Sequence, residues 1–183
     1  ALQFISTTDR DAVRALVQLE GKVDLVIPRG GESLIRAVVD LARVPIIKHY
    51  KGLCHIYVDA FADIEKALAI CENAKCQRPG VCNAVETLLV HQAIAQEFLP
   101  RLVERIGSRV ELRGDEAACE IVSSLVPASD QDWDTEYLDL ILSIKVVKDV
   151  GQAIAHINMH GSHHSDAIIS EETAAQTSFL AAV

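Results

Sequence analysis

The chain has 183 residues, 50% of them hydrophobic, which is enough for a sizeable core in one domain or slightly more. Lys and Arg number 17 against 26 Asp and Glu, a formal net charge of −9, and aromatics are 4%. With no stretch that concentrates cations, a nucleic-acid surface is disfavoured, and no apolar run approaches the roughly 20 residues that a bilayer-spanning helix needs.

In chain order, Phe4-Ile5 reads as a short strand. Thr8 with Asp11 three residues on reads as a capping box ahead of a helix carrying Val13, Leu16 and Val17. Lys22–Ile27 is the next strand, Pro28-Arg29-Gly30-Gly31 a turn, Glu32–Ala42 a helix, and Val44–Ile47 a returning strand. Leu53–Val58 is a strand, and Asp63 caps a helix running to about Lys75 with Ile64, Leu68 and Cys71 on one face. Beyond the break at Pro79-Gly80 come a strand to Val90, the long amphipathic helix His91–Ile106, a short strand at Val110–Leu112 and a helix at Asp115–Val122. Pro127–Glu136 is polar and reads as a surface loop. Leu140–Val147 is a strong strand, Val150–Met159 a helix ended by Gly161, Asp166–Ile169 a strand and Glu171–Val183 a last helix. Strands alternating with helices predict parallel βαβ units.

The chemistry-bearing stretch is Gln77-Arg78-Pro79-Gly80-Val81-Cys82-Asn83. Pro and Gly break regular structure there and hold a cysteine on a bend, with backbone N–H groups around it. Such a position suits a thiolate nucleophile, and it equally suits a loop that happens to contain a cysteine. Lys75 and Arg78 can lower the Cys82 pKa or bind substrate charge, or simply be solvated cations. Five cysteines, an odd number in a chain that is not loop-rich, point to reduced thiols rather than a disulfide framework. Pro28–Ser33, between strand and helix, offers helix N–H groups to an anion, although an ordinary βα turn is the more frequent outcome. His160, His163 and His164 flank Gly161 at a helix end. Without a C-x-x-C pair, dipole compensation outweighs a metal site there. Glu136 at a strand entry reads as solvated unless the fold brings it to Cys82.

Several of these segments together resemble the gamma-glutamyl phosphate reductases, a proline-biosynthesis branch of the aldehyde dehydrogenase superfamily. They are Ile27–Gly31, Lys48–His55, Asn73–Ala84 and Gly161–Asp166, and the Gln77–Asn83 run is the most specific. The resemblance implies an α/β fold: a three-layer α/β/α catalytic domain over residues 48–183, preceded by residues 1–47 as the tail of a Rossmann-like NADP-binding domain. It further implies that most of the nucleotide domain would precede Ala1, that an oligomerisation segment would follow Val183, and that this stretch alone would be inactive.

The activity implied is NADPH-dependent reduction of L-glutamate 5-phosphate to L-glutamate 5-semialdehyde through a Cys82 thioester. Cys82 and Asn83 are then catalytic. Glu136 together with Gly30, Gly31 and Ser33 holds NADPH, and Lys48 and Arg78 favour an anionic substrate. The resemblance transfers no role to His163 and His164, whose pairing with that substrate is an expectation of its own. Lys48 and His49 stand where hydrolytic relatives carry a general-base glutamate, which fits a thioester kept for hydride rather than water. The resemblance also implies a cytoplasmic enzyme, a homo-oligomer at full length, with glutamate 5-kinase as partner and no metal, nucleic acid or membrane. The alternatives are a non-catalytic folded module with a structural Cys82, or an aldehyde dehydrogenase of another substrate range.

Overall fold

A computed structural model describes residues 2–183. They form two compact units, Ala1–Lys51 and Gly52–Val183. The first holds helices α1 (Arg10–Val17) and α2 (Glu32–Leu41), with Val17, Ile35, Val38 and Val44 buried. Three expectations change here. Phe4-Ile5 is not a strand, and both side chains are exposed. The N-cap of α1 is Asp9, whose carboxylate takes the Asp11 N–H, rather than Thr8. The two apolar runs Lys22–Ile27 and Val44–Ile47 meet only in an isolated parallel bridge, Val26 with Ile46.

The second unit is built on six parallel strands: β1 (Cys54–Val58), β2 (Val85–His91), β3 (Glu111–Gly114), β4 (Val126–Pro127), β5 (Ile141–Val147) and β6 (Asp166–Ile169), in the order β4-β3-β5-β2-β1-β6. The helices are α3 (Ile64–Cys76), α4 (Gln92–Ile106), α5 (Glu116–Ile121), α6 (Val150–His160) and α7 (Thr173–Ala182). From β1 the chain steps toward the β4 edge through α3, α4 and α5, then returns through β5 and α6 to β6. Right-handed crossovers taken in opposite directions put their helices on opposite faces.

The packing agrees. Leu68, Cys71, Phe98, Leu99 and Leu102 meet Ile56, Leu88 and Leu142 on one face, while Ala153, Ile157 and Phe179 meet Tyr57, Leu89 and Val147 on the other. Coverage of both faces explains why the central strands read as nearly unbroken apolar runs. Asp63 caps α3 by accepting the Lys66 N–H, and Asp115 and Asp149 cap α5 and α6 in the same manner. Among the described residues no helix is long and apolar enough to cross a membrane.

The segment read as a surface loop, Pro127–Glu136, is instead partly interior. Asp130–Asp134 forms a 3₁₀ turn with Asp132 and Trp133 buried. Asp132 accepts hydrogen bonds from Ser129 N–H, the Ser129 hydroxyl, the Tyr137 hydroxyl and Arg113 Nη1.

Candidate active site

The segments that carry the candidate residues of the second unit all enter the sheet at the amino ends of its strands. Gly52-Leu53 precede β1, Val81–Ala84 precede β2, Glu136–Leu140 precede β5 and Gly161–Ser165 precede β6. Cys82 and Asn83 occupy the two central positions of a turn closed by the Ala84 N–H donating to the Val81 carbonyl at 3.0 Å. Both side chains are exposed. Cys82 Sγ makes no hydrogen bond among the described residues, so the thiol stands free at the turn's crest.

The turn is fastened from behind. A Cβ built on Gly52 would overlap the Cys82 carbonyl oxygen and lie 2.7 Å from its carbon and 2.8 Å from its Cα, so only glycine fits there. Gly52 N–H donates to Glu136 Oε1 at 2.8 Å, Leu53 N–H to Ser162 Oγ at 2.9 Å, and the Cys54 thiol to the Cys82 carbonyl at 3.2 Å. Burial, reinforced by the nearby Asp166 carboxylate, pushes the Cys54 thiol up to about 12, which keeps it a donor. His164 Nδ1 lies 3.7 Å from Cys54 Sγ and 2.8 Å from Ser165 Oγ. Cys82, Asn83, Glu136 and His164 are therefore linked at the amino end of the sheet's strands. Arg78 is exposed on the same loop, and His163 is exposed with a left-handed backbone, φ 55°.

Lys75 departs from its expected place beside the thiol. It is fully buried and paired with buried Glu86 at 2.7 Å. Its helical spacing from Leu68 and Cys71 was the available signal, since residues at i, i+3 and i+7 share the inward face. Gly52, Cys54, Glu86 and Ser162 were missed as supports of the loop. For Gly52 the cue was a lone glycine just ahead of a strand, a usual mark of close backbone approach.

The other candidates lie in the first unit. Gly31 is the N-cap of α2 and gives no side-chain cap bond, which leaves the first N–H groups of that helix for an anion. Gly30 has φ 151° and sits where a Cβ would come within 2.6 Å of Leu34 Cδ2. Ser33 is exposed in the first turn of α2. Lys48 is exposed, with Nζ 5.3 Å from the centre of the Tyr50 ring.

Residues 1–139 match the aldehyde dehydrogenase family. The chain is 53% identical to the gamma-glutamyl phosphate reductase of Desulforapulum autotrophicum over 93% of its own length and 41% of that relative's. It is 51% identical to the protein of that name from Aquifex aeolicus, over 98% of its own length and 43% of the relative's. It superposes on the crystal structure of gamma-glutamyl phosphate reductase from Thermotoga maritima with a TM-score of 0.94 at 49% identity, covering 99% of this chain and 44% of that one. The chain thus spans under half the length of the relatives it matches. On the match over residues 1–139, it belongs to the aldehyde dehydrogenase family.

Proposed function

We propose that this chain supplies the nucleophile-bearing part of an NADPH-dependent reductase that converts L-glutamate 5-phosphate to L-glutamate 5-semialdehyde with release of phosphate, in proline biosynthesis. The observation that carries the reading is the exposed Cys82 thiol at the crest of a turn that Gly52 and Cys54 brace from behind. The likeness to relatives named gamma-glutamyl phosphate reductase supplies the substrate.

In this mechanism Cys82 Sγ attacks the acyl carbon and phosphate leaves, forming a thioester on the chain. The Cys82 N–H, free of helix or strand bonding in its turn, is the donor suited to the oxyanion that develops at each tetrahedral stage. Asn83, beside it on the turn, orients the acyl group. Arg78, Lys48, His163 and His164 supply cationic or hydrogen-bonding groups for a substrate bearing carboxylate and phosphate.

The residues present fit a nicotinamide cofactor. Glu136 has Oε2 without a partner among the described residues, an acceptor for ribose hydroxyls, while Gly30, Gly31 and Ser33 frame the uncapped N-terminus of α2 for a pyrophosphate. When bound, that group supplies the hydride. On this reading residues 1–47 close the NADP-binding domain and 48–183 form the catalytic domain. The enzyme is cytoplasmic, it self-associates at full length, and its substrate comes from glutamate 5-kinase.

The test is phosphate-dependent NADP⁺ reduction by glutamate semialdehyde in the full-length protein. The Cys82→Ala variant should lose the reaction by at least about 10³-fold. Activity near wild type would remove Cys82 from the mechanism.

A further inference from the structure

The nucleophile loop leaves α3 just after Lys75 and enters β2 just before Glu86. Both side chains are buried, 0% and 1% exposed, with Lys75 Nζ 2.7 Å from Glu86 Oε2. A buried ion pair is a poor device for stability alone, since well-packed apolar residues do as well or better. What distinguishes this one is where its other oxygen goes. Glu86 Oε1 accepts the Leu138 N–H at 3.1 Å, from a segment 52 residues away.

Leu138 is in the left-handed region, φ 55°, and its side chain is 49% exposed. It gains little burial for a conformation that costs a leucine about 1–2 kcal/mol. Such strain persists only where the surroundings impose it, and the bond to Glu86 is a contact that does so. Two residues earlier, Glu136 Oε1 holds the Gly52 N–H, and Gly52 lies against the Cys82 carbonyl. The path Lys75, Glu86, Leu138, Glu136, Gly52, Cys82 is a closed circuit. One carboxylate holds the loop at its base and, through the Glu136–Leu138 segment, braces its crest.

We propose that Glu86 is a positioning residue, which locks the Glu136–Leu138 segment against the nucleophile loop through the Leu138 N–H and so sets the turnover of Cys82. Lys75 is its counterion and orients the carboxylate. The proposal rests on the reading of Cys82 as nucleophile and adds to it a requirement remote from the reacting atoms.

Two double variants of the full-length protein separate positioning from stability. Lys75→Met/Glu86→Gln removes both charges and keeps an oxygen for the Leu138 N–H. Lys75→Met/Glu86→Leu removes both charges and the acceptor. The glutamine variant should keep kcat within about threefold of wild type, and the leucine variant should lose about tenfold or more in kcat at similar KM and thermal midpoint. Equal kcat in the two overturns the proposal.

If the leucine variant does not fold, amide exchange in the wild-type protein decides. The Gly52 and Leu138 amides should open as one unit, with protection factors within about threefold of each other. Independent opening overturns the lock. Cys82→Ala separates the two ideas. If it remains active, the reading of Cys82 fails and the proposal falls with it. If it is dead while the leucine variant turns over normally, the proposal alone fails.

Discussion

Gly52 lies flat against the Cys82 carbonyl with no room for a side chain. A Gly52→Ala substitution must therefore displace either the turn or the β1 entry, because the clash is with backbone. Displacement of about 1 Å at a reacting group can cost on the order of 100-fold in rate, whereas overpacking at one site costs about 1–3 kcal/mol of stability. Steady-state kinetics and thermal melts of the full-length variant should show the rate loss in a protein that still folds. An unchanged kcat would mean that the close approach does not govern the turn.

Asp132 gathers four donors beneath the 3₁₀ turn, including Arg113 Nη1 at 2.6 Å and the Tyr137 hydroxyl at 2.6 Å. Burial pushes its carboxyl up, but the Tyr137 hydroxyl, the Ser129 N–H, Arg113 and the Ser129 hydroxyl together hold it below the ordinary carboxylate range. A depressed folded-state value means that the stabilisation is fully present above the unfolded pKa near 3.8 and is lost as pH falls toward the folded value. Asp132→Ala takes one partner from Arg113, which keeps Glu111, and one from the Tyr137 hydroxyl, which keeps Ser143, and should cost about 1–3 kcal/mol at neutral pH, read from urea unfolding. A loss below about 0.5 kcal/mol, the range of ordinary surface changes, would show that the network is dispensable.

His156 also lowers stability on acidification, over a higher pH window, because its neutral rather than its charged form is the one favoured in the fold. It is buried on α6 against His55, His160 and Trp133, with Nε2 unpartnered among the described residues. Burial, with Lys145, His55 and His160 adding to it, lowers its pKa to about 3. Between the unfolded value of about 6.5 and the folded value, the unfolded chain binds the extra proton. Stability therefore falls on acidification by up to about 1.4 kcal/mol per pH unit below 6. His156→Phe should flatten the dependence of stability on pH between about pH 4 and pH 6, read from urea unfolding at the two pH values. A wild-type slope in that variant would assign the acid sensitivity to other groups.

Leu138 carries its left-handed backbone on the surface. Leu138→Gly removes the steric penalty in the folded state and adds freedom to the unfolded chain, so the two effects oppose. With about 1–2 kcal/mol at stake in the first and somewhat less in the second, a net gain of about 0.5–1 kcal/mol is expected in chemical denaturation. A net loss would mean that the leucine side chain makes a contribution that its exposure conceals.

The parts of this fold that could be read from the sequence were those with strong local signals. Asp63 before an apolar stripe, the long pattern from His91 to Ile106, and the Leu140–Val147 run all became the expected elements with shifts of a residue or two. Phe4-Ile5 and the two short apolar runs of the first unit failed as strands, because a strand is defined by its partner and only Val26 and Ile46 find one. Asp132 and Trp133 looked solvated in a polar stretch. The groups that draw them inward, among them Arg113, Lys145 and His156, are distant in sequence. The Cys82 loop announced itself through Pro79-Gly80, but its supports did not. Gly52, Cys54, Glu86 and Ser162 act through bonds to remote backbone, which leave no periodicity behind.

The contacts that fasten the Cys82 turn join residues 28, 84 and 109 positions apart in the chain. Helices α3 and α4 are local and can form early, whereas these closures must wait until β1, β2, β5 and β6 have all paired, against the entropy of long loops. During refolding, helical circular dichroism should therefore recover before a competent turn does. A population with native secondary structure and a mobile Cys82 segment should precede the native state, making recovery of the turn a reporter of the last step of assembly.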